Sequence, residues 1–105
     1  MASSLEFAEY VCGQIAGAGV VTYKKMFGEY GIYCDGKFFA LIIDNQFFVK
    51  ATNAGRELAS ACEVLPPYEG AHPYFLIESL DDTVWLLDLV RTTCAELPFQ
   101  KPRKK

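Results

Sequence analysis

Two spacings of apolar residues alternate along the chain. Near 5–15, 53–64 and 81–97, apolar residues recur every three or four positions, which is typical of amphipathic helices. Between these segments lie short apolar runs over 20–24, 32–34, 37–43, 46–50 and 74–78, which are typical of strands. The pattern therefore predicts an α+β fold in two layers, an antiparallel meander sheet packed on helices, in the order α-β-β-β-β-α-β-α.

Two short turns separate the three central strands. Asp35 and Gly36 lie between the first pair, and Asp44 and Asn45 lie between the second pair. These residue types tolerate the positive φ angles of a type I′ turn, whose twist matches that of a two-residue hairpin. We therefore expect neighbouring strands to pair with their neighbours in sequence.

The strand over 37–43 is apolar on both faces, because Phe38, Phe39, Ala40, Leu41 and Ile42 follow one another without a polar residue. A strand of this kind needs cover on both sides of the sheet. Helices can cover one side. A long loop, a third helix or another subunit could cover the other, so a homodimer is one expected arrangement.

Polar residues before the helical segments predict where each helix begins. Ser3, with Glu6 three positions later, matches a capping box, and Asn53 and Asp81 are N-cap candidates for the later helices. Trp85 falls toward the polar side of the last helix. It could form a hydrophobic staple with the residue before Asp81, or it could anchor a partner.

Charge is unevenly distributed along the chain. The net charge is −3, but 101–105 hold four of the ten basic side chains, so 1–100 carry a net −7. We expect one domain over 1–98 and a basic, disordered tail over 99–105. An acidic body repels phosphate, so any unaided contact with nucleic acid should run through this tail. The candidate residues are Lys101, Arg103, Lys104 and Lys105.

The residue types of common reaction centres are sparse. The four cysteines are irregularly spaced and lie on predicted core faces, where a reduced thiol behaves as a small hydrophobe. The single histidine, His72, has no evident second ligand or base, so we predict no metal, cofactor or catalytic site. The chain also shows neither a secretory signal nor an apolar run of about 20 residues, and we expect a cytoplasmic protein without membrane contact.

The segment from Met26 to Tyr33 is the most distinctive in the chain. Gly28 and Gly31 flank Glu29 and Tyr30 at a spacing that favours a turn or a close backbone approach. The glycines do not lead into a helix with a following Lys-Ser or Lys-Thr, so this is not a phosphate-binding loop.

This segment, Met-Phe-Gly-x-Tyr-Gly-Ile-Tyr, resembles the N-terminal domain of the TfoX/Sxy family, together with the run Gly36-x-Phe-Phe-Ala-Leu-Ile, Asp44 and Lys50. The resemblance spans about 10–97. It implies a bacterial α+β domain with a meandering antiparallel sheet. It also implies a role in regulating competence, as a transcriptional coactivator that works with the cyclic-AMP receptor protein.

We therefore expect a non-enzymatic regulatory module that binds another protein. The residues expected to bind are Phe27, Glu29, Tyr30 and Lys50, with Glu29 and Tyr30 exposed at the tip between the glycines. Lys50 could snorkel out of the sheet, or it could present its charge to a partner carboxylate or phosphate. The alternative is a dimeric module that binds a small ligand or peptide, since 14% of the residues are aromatic.

Overall fold

The structure is a computed structural model that describes residues 3–26 and 29–97, with the backbone alone at Met26. It confirms the α+β class and the antiparallel meander. All strands pair antiparallel in one sheet of order β1-β2-β3-β4-β6-β5. The elements are α1 (Leu5–Gln14), a 3₁₀ turn (Ala16–Ala18), β1 (Val21–Met26), β2 (Glu29–Cys34), β3 (Lys37–Ile43), β4 (Gln46–Lys50), β5 (Glu63–Leu65), β6 (Tyr74–Ile77) and α2 (Thr83–Glu96).

Both predicted hairpin turns are confirmed. Asp35 and Gly36 have φ angles of 53° and 83°, and Asp44 and Asn45 have φ angles of 55° and 57°. Two consecutive positive φ angles are the signature of the type I′ turn. These turns set the register of β2, β3 and β4, and thereby decide which side chains share a face.

A register shift lets β3 serve both faces of the sheet. Tyr33 pairs with Phe38 and Ile32 pairs with Ala40, so Phe39 has no partner on β2. This bulge turns Phe39 toward the helices along with Ala40, while Phe38 points to the opposite face. The two-sided burial predicted for this strand is confirmed.

One face of the sheet packs against both helices. Residues of α1 and α2 and the inward positions of four strands, β2, β3, β4 and β6, form most of a single buried cluster, which we call the main core. Burial of this apolar area is the dominant stabilising term in a domain of this size. The main core consists of Ala8, Val11, Ile15, Tyr30, Ile32, Cys34, Phe39, Ala40, Ile42, Phe47, Val49, Ala59, Phe75, Ile77, Leu86, Leu89, Val90 and Cys94.

The helix predicted over 53–64 is wrong. The chain there forms successive turns and then the short strand β5. Within 53–62, a single backbone hydrogen bond spans four residues, from Ala59 N to Gly55 O at 3.0 Å. Gly55 is buried, and a Cβ there would lie 3.0 Å from Thr52 Oγ1 and 3.2 Å from Thr93 Oγ1. Close packing thus requires glycine, which destabilises a helix interior by about 1 kcal/mol relative to alanine.

The N-caps expected for the first and last helices are each displaced by one residue. Ser4, not Ser3, caps α1, because its Oγ accepts from Phe7 N at 3.1 Å. Asp82, not Asp81, caps α2, because its Oδ1 accepts from Trp85 N at 3.3 Å. The shift at α1 releases Ser3 for a different contact, and the shift at α2 removes the spacing of the expected staple.

Candidate functional site

A groove of about 560 Å³ lies on the sheet face that points away from the helices. We call it the sheet groove. It follows β3 and is bounded by β2, β6 and the loop after β5. Its lining residues are Glu29, Tyr30, Phe38, Leu41, Ile43, Tyr68 and Tyr74.

The floor of the sheet groove is a second apolar cluster, separate from the main core. This cluster consists of Leu41, Phe48, Tyr74 and Leu76, each at most 9% exposed, and Leu41 and Tyr74 are the members that line the groove. Tyr68, in the loop over 66–73, is 57% exposed and stands at the rim. A loop therefore supplies part of the second cover that β3 requires, and the groove is the part of this face that the loop leaves open.

Lys50 ends β4 beside the groove. Its Nζ lies 4.8 Å from the centroid of the Phe38 ring, and its backbone pairs with Tyr74. The ammonium is half-buried, and desolvation lowers the pKa of Lys50 from its ordinary value. A cation over a ring is weakly favourable, but it does not restore the hydration that burial removes. Lys50 is thus a partly desolvated cation bordering an apolar groove.

Glu29, the first residue of β2, lies near the C-terminal end of β3. Its carboxylate links Ser3, which precedes α1, to the turn between β3 and β4. Its Oε1 accepts from Ser3 N at 3.0 Å, from Ser3 Oγ and from Asp44 N at 3.2 Å. Ser3 Oγ in turn accepts from Asn45 N at 3.0 Å. We call this network the N-terminal bridge. One oxygen of the carboxylate therefore has a structural role.

Removal of the Glu29 carboxylate should destabilise the domain. Glu29→Ala leaves three donors without their acceptor, and we expect the free energy of unfolding to fall by about 1–2 kcal/mol. Glu29→Gln keeps one carbonyl oxygen and should cost less. Urea unfolding monitored by circular dichroism measures both, with the exposed Glu57→Ala as the control. Equal stability of Glu29→Ala and Glu57→Ala would show that the bridge contributes nothing.

Tyr30 is not exposed, contrary to the expectation for the tip between the glycines. Its side chain is 3% exposed and belongs to the main core, where it makes an edge-to-face contact with Tyr23 at 5.6 Å between centroids. The paired register places Tyr30 beside Ile42 on the helix side of the sheet. Tyr30 therefore borders the groove without opening its ring to solvent.

The structure brings three of the four expected binding residues to one region. Glu29 and Tyr30 line the groove, and Lys50 borders it through Phe38. Phe27 and the basic tail residues Lys101, Arg103, Lys104 and Lys105 lie outside the described residues. Sequence reasoning missed most of the lining, although the run of apolar residues in β3 was the available signal.

The described cysteines, acidic residues and histidine give little support for nucleophilic or metal-assisted catalysis. Burial and the neighbouring Cys34 raise the pKa of the Cys94 thiol to about 12, and burial also raises the pKa of Cys34. Such thiols are poor nucleophiles at neutral pH. Across 3–26 and 29–97, no cluster of three or more His, Cys, Asp or Glu side chains could hold a metal ion. His72 is exposed in the loop over 66–73.

Neither helix in the described part of the chain combines the length and apolar character needed to cross a bilayer.

Comparison with known proteins assigns the chain to a family. The model of the TfoX N-terminal domain matches residues 13–97. The chain belongs to the TfoX N-terminal domain family. A relative in Spirochaeta aurantia, described as an uncharacterized 12.7 kDa protein in the trpE 5′ region, is 37% identical over 105 residues. That alignment covers 99% of this chain and 91% of the relative. The TfoX N-terminal match thus covers β1 to β6 and α2, but only the last two residues of α1.

Proposed function

We propose that this TfoX N-terminal domain protein is a non-enzymatic regulatory module that binds a protein partner in the bacterial cytoplasm. The match to the TfoX N-terminal domain over 13–97 carries the proposal. The cyclic-AMP receptor protein is the candidate partner, since competence regulators of this family are associated with it.

The charge distribution supports a coactivator that does not read DNA by itself. Residues 1–100 carry a net −7, which opposes close approach to phosphate. The four basic residues of the tail would add a weak, sequence-independent attraction to DNA or RNA. They are Lys101, Arg103, Lys104 and Lys105.

A mobility-shift experiment tests the proposal. The full chain, purified cyclic-AMP receptor protein from the same host, cyclic AMP and promoter DNA are combined, and each component is also omitted in turn. We expect a supershift only when the receptor protein is present. A variant with all four basic tail residues changed to Ala should retain the supershift but lose any weak binding to DNA alone. No contact with the receptor protein in a shift or pull-down would refute the coactivator role.

The sheet groove favours a second candidate function, a module that binds a small ligand or peptide. An open cavity of about 560 Å³ with an apolar floor falls in the size range of ligand sites. A ligand that binds the native state must raise the melting temperature, so a thermal-shift screen of metabolites and peptides measures this function. We include a homodimer in this second proposal, and light scattering of the free and ligand-bound chain would measure its mass.

A further inference from the structure

The Lys50 ammonium has no anionic partner in the described part of the chain. Across 3–26 and 29–97, its side chain makes neither a hydrogen bond nor an ion pair, and its contact is with the Phe38 ring. Long cations at the ends of strands normally extend into water. This one is held half-buried instead, at the border of an apolar cavity. An anion placed there would regain the electrostatic stabilisation that burial has removed.

The two ends of the sheet groove differ in charge. Lys50 lies beside Phe38 near the start of β3, and Glu29 lies beside Ile43 at its end. Phe38 and Ile43 are five positions apart along β3, which corresponds to about 16 Å. The Glu29 carboxylate already accepts from Ser3 and Asp44, so it does not require a cation. An anionic ligand is therefore attracted at one end and repelled at the other.

Between the two ends, the groove offers aromatic and aliphatic surface. Phe38, Tyr68 and Tyr74 supply rings, and Leu41 and Ile43 supply branched side chains. Rings of this kind favour a flat, apolar body by stacking and edge contacts.

We infer that the sheet groove binds a small apolar carboxylic acid, with its carboxylate on Lys50 Nζ and its apolar body along β3 toward Ile43. This inference rests on the second candidate function above, and it specifies the class of ligand. The apolar body supplies most of the affinity, and the ion pair supplies the selection for an acid.

A matched pair of compounds tests the inference on the full chain. Naphthylacetate carries the acid, and naphthylacetamide has nearly the same shape without the charge. Isothermal titration calorimetry should show the acid binding about tenfold more tightly than the amide. This comparison uses the unmodified chain, so it does not depend on whether a variant folds.

Substitutions of Lys50 and Lys25 then test which ammonium group binds the carboxylate of the ligand. Lys50→Met should weaken binding of the acid by about tenfold and leave binding of the amide unchanged, while Lys50→Arg should retain the preference. Lys25→Met, on the exposed edge strand β1, removes the same charge elsewhere and should change neither affinity.

The outcomes separate the inference from the function on which it rests. Equal binding of acid and amide would overturn recognition of an acid and leave a neutral-ligand site in the groove. Undetectable binding of both compounds would overturn the small-ligand site itself. Preference for the acid that persists in Lys50→Met but disappears in Lys25→Met would place the anion at β1 and refute the assignment to Lys50.

Discussion

Phe39→Ala is expected to lower the free energy of unfolding by about 3–5 kcal/mol, because it empties a site in the main core that is fully buried. Phe38→Ala, one residue earlier, should cost about 1–2 kcal/mol. Phe38 is half-buried at the sheet groove, where its contacts are the ring of Tyr33 at 5.4 Å between centroids and the ammonium of Lys50. Urea unfolding of both variants measures the difference.

The two substitutions control for each other, since the same atoms are removed from adjacent positions of one strand. The bulge that turns Phe39 toward the helices is the reason for the unequal cost. Equal losses of stability would contradict this account, because they would mean that the groove face is packed as tightly as the helix face.

Trp85→Ala is expected to cost about 3 kcal/mol, the second largest effect. The indole is half-buried against the main core, and its Nε1 donates to Leu58 O at 2.7 Å. That bond links α2 to the turns that replace the predicted middle helix. Loss of the side chain therefore removes packing and also releases this segment. Thermal unfolding and amide hydrogen exchange over 53–62 measure the two consequences.

Trp85→Phe separates the hydrogen bond from the packing. It retains a ring but removes the donor, so we expect a cost of about 1 kcal/mol and faster exchange near Leu58. If both variants were as stable as the unmodified chain, the indole would not be structural, and its role as an anchor for a partner would become the better explanation.

Local signals predicted the centre of the sheet correctly, for reasons specific to these residues. Asp-Gly and Asp-Asn tolerate positive φ angles, so each hairpin turn could be predicted from its two central residues. The unbroken apolar run of β3 also indicated that this strand is buried on both faces of the sheet. In such cases, the preference of a few neighbouring residues agrees with the final fold.

The incorrect predictions share a different physical cause. Ser3 has a local signal for a helix cap, but distant Glu29 and Asn45 form its hydrogen bonds. In the segment over 53–64, apolar spacing predicts a helix, yet contacts from α2 to Gly55 and Leu58 determine its course. No window of consecutive residues contains these contacts, so propensity alone could not give the result.

The candidate site was predictable in part. Glu29 and Tyr30 line the groove and Lys50 borders it through Phe38, but Tyr30 contributes from the main core, because the register places it on the helix face. Tyr68 and Tyr74 join the lining because antiparallel β4–β6 pairing and the loop after β5 bring them to β3. That pairing links strands separated by more than twenty residues, which include turns and β5, and it has no signature in sequence spacing.

The most direct test of the sheet groove as the binding surface is an NMR titration of the isotope-labelled full chain with naphthylacetate. We predict that the largest shifts of backbone amide signals will fall on Phe38, Leu41 and Tyr74, with small changes along α1 and α2. Saturable shifts concentrated on the helices, or on the exposed edge of β1, would contradict the account.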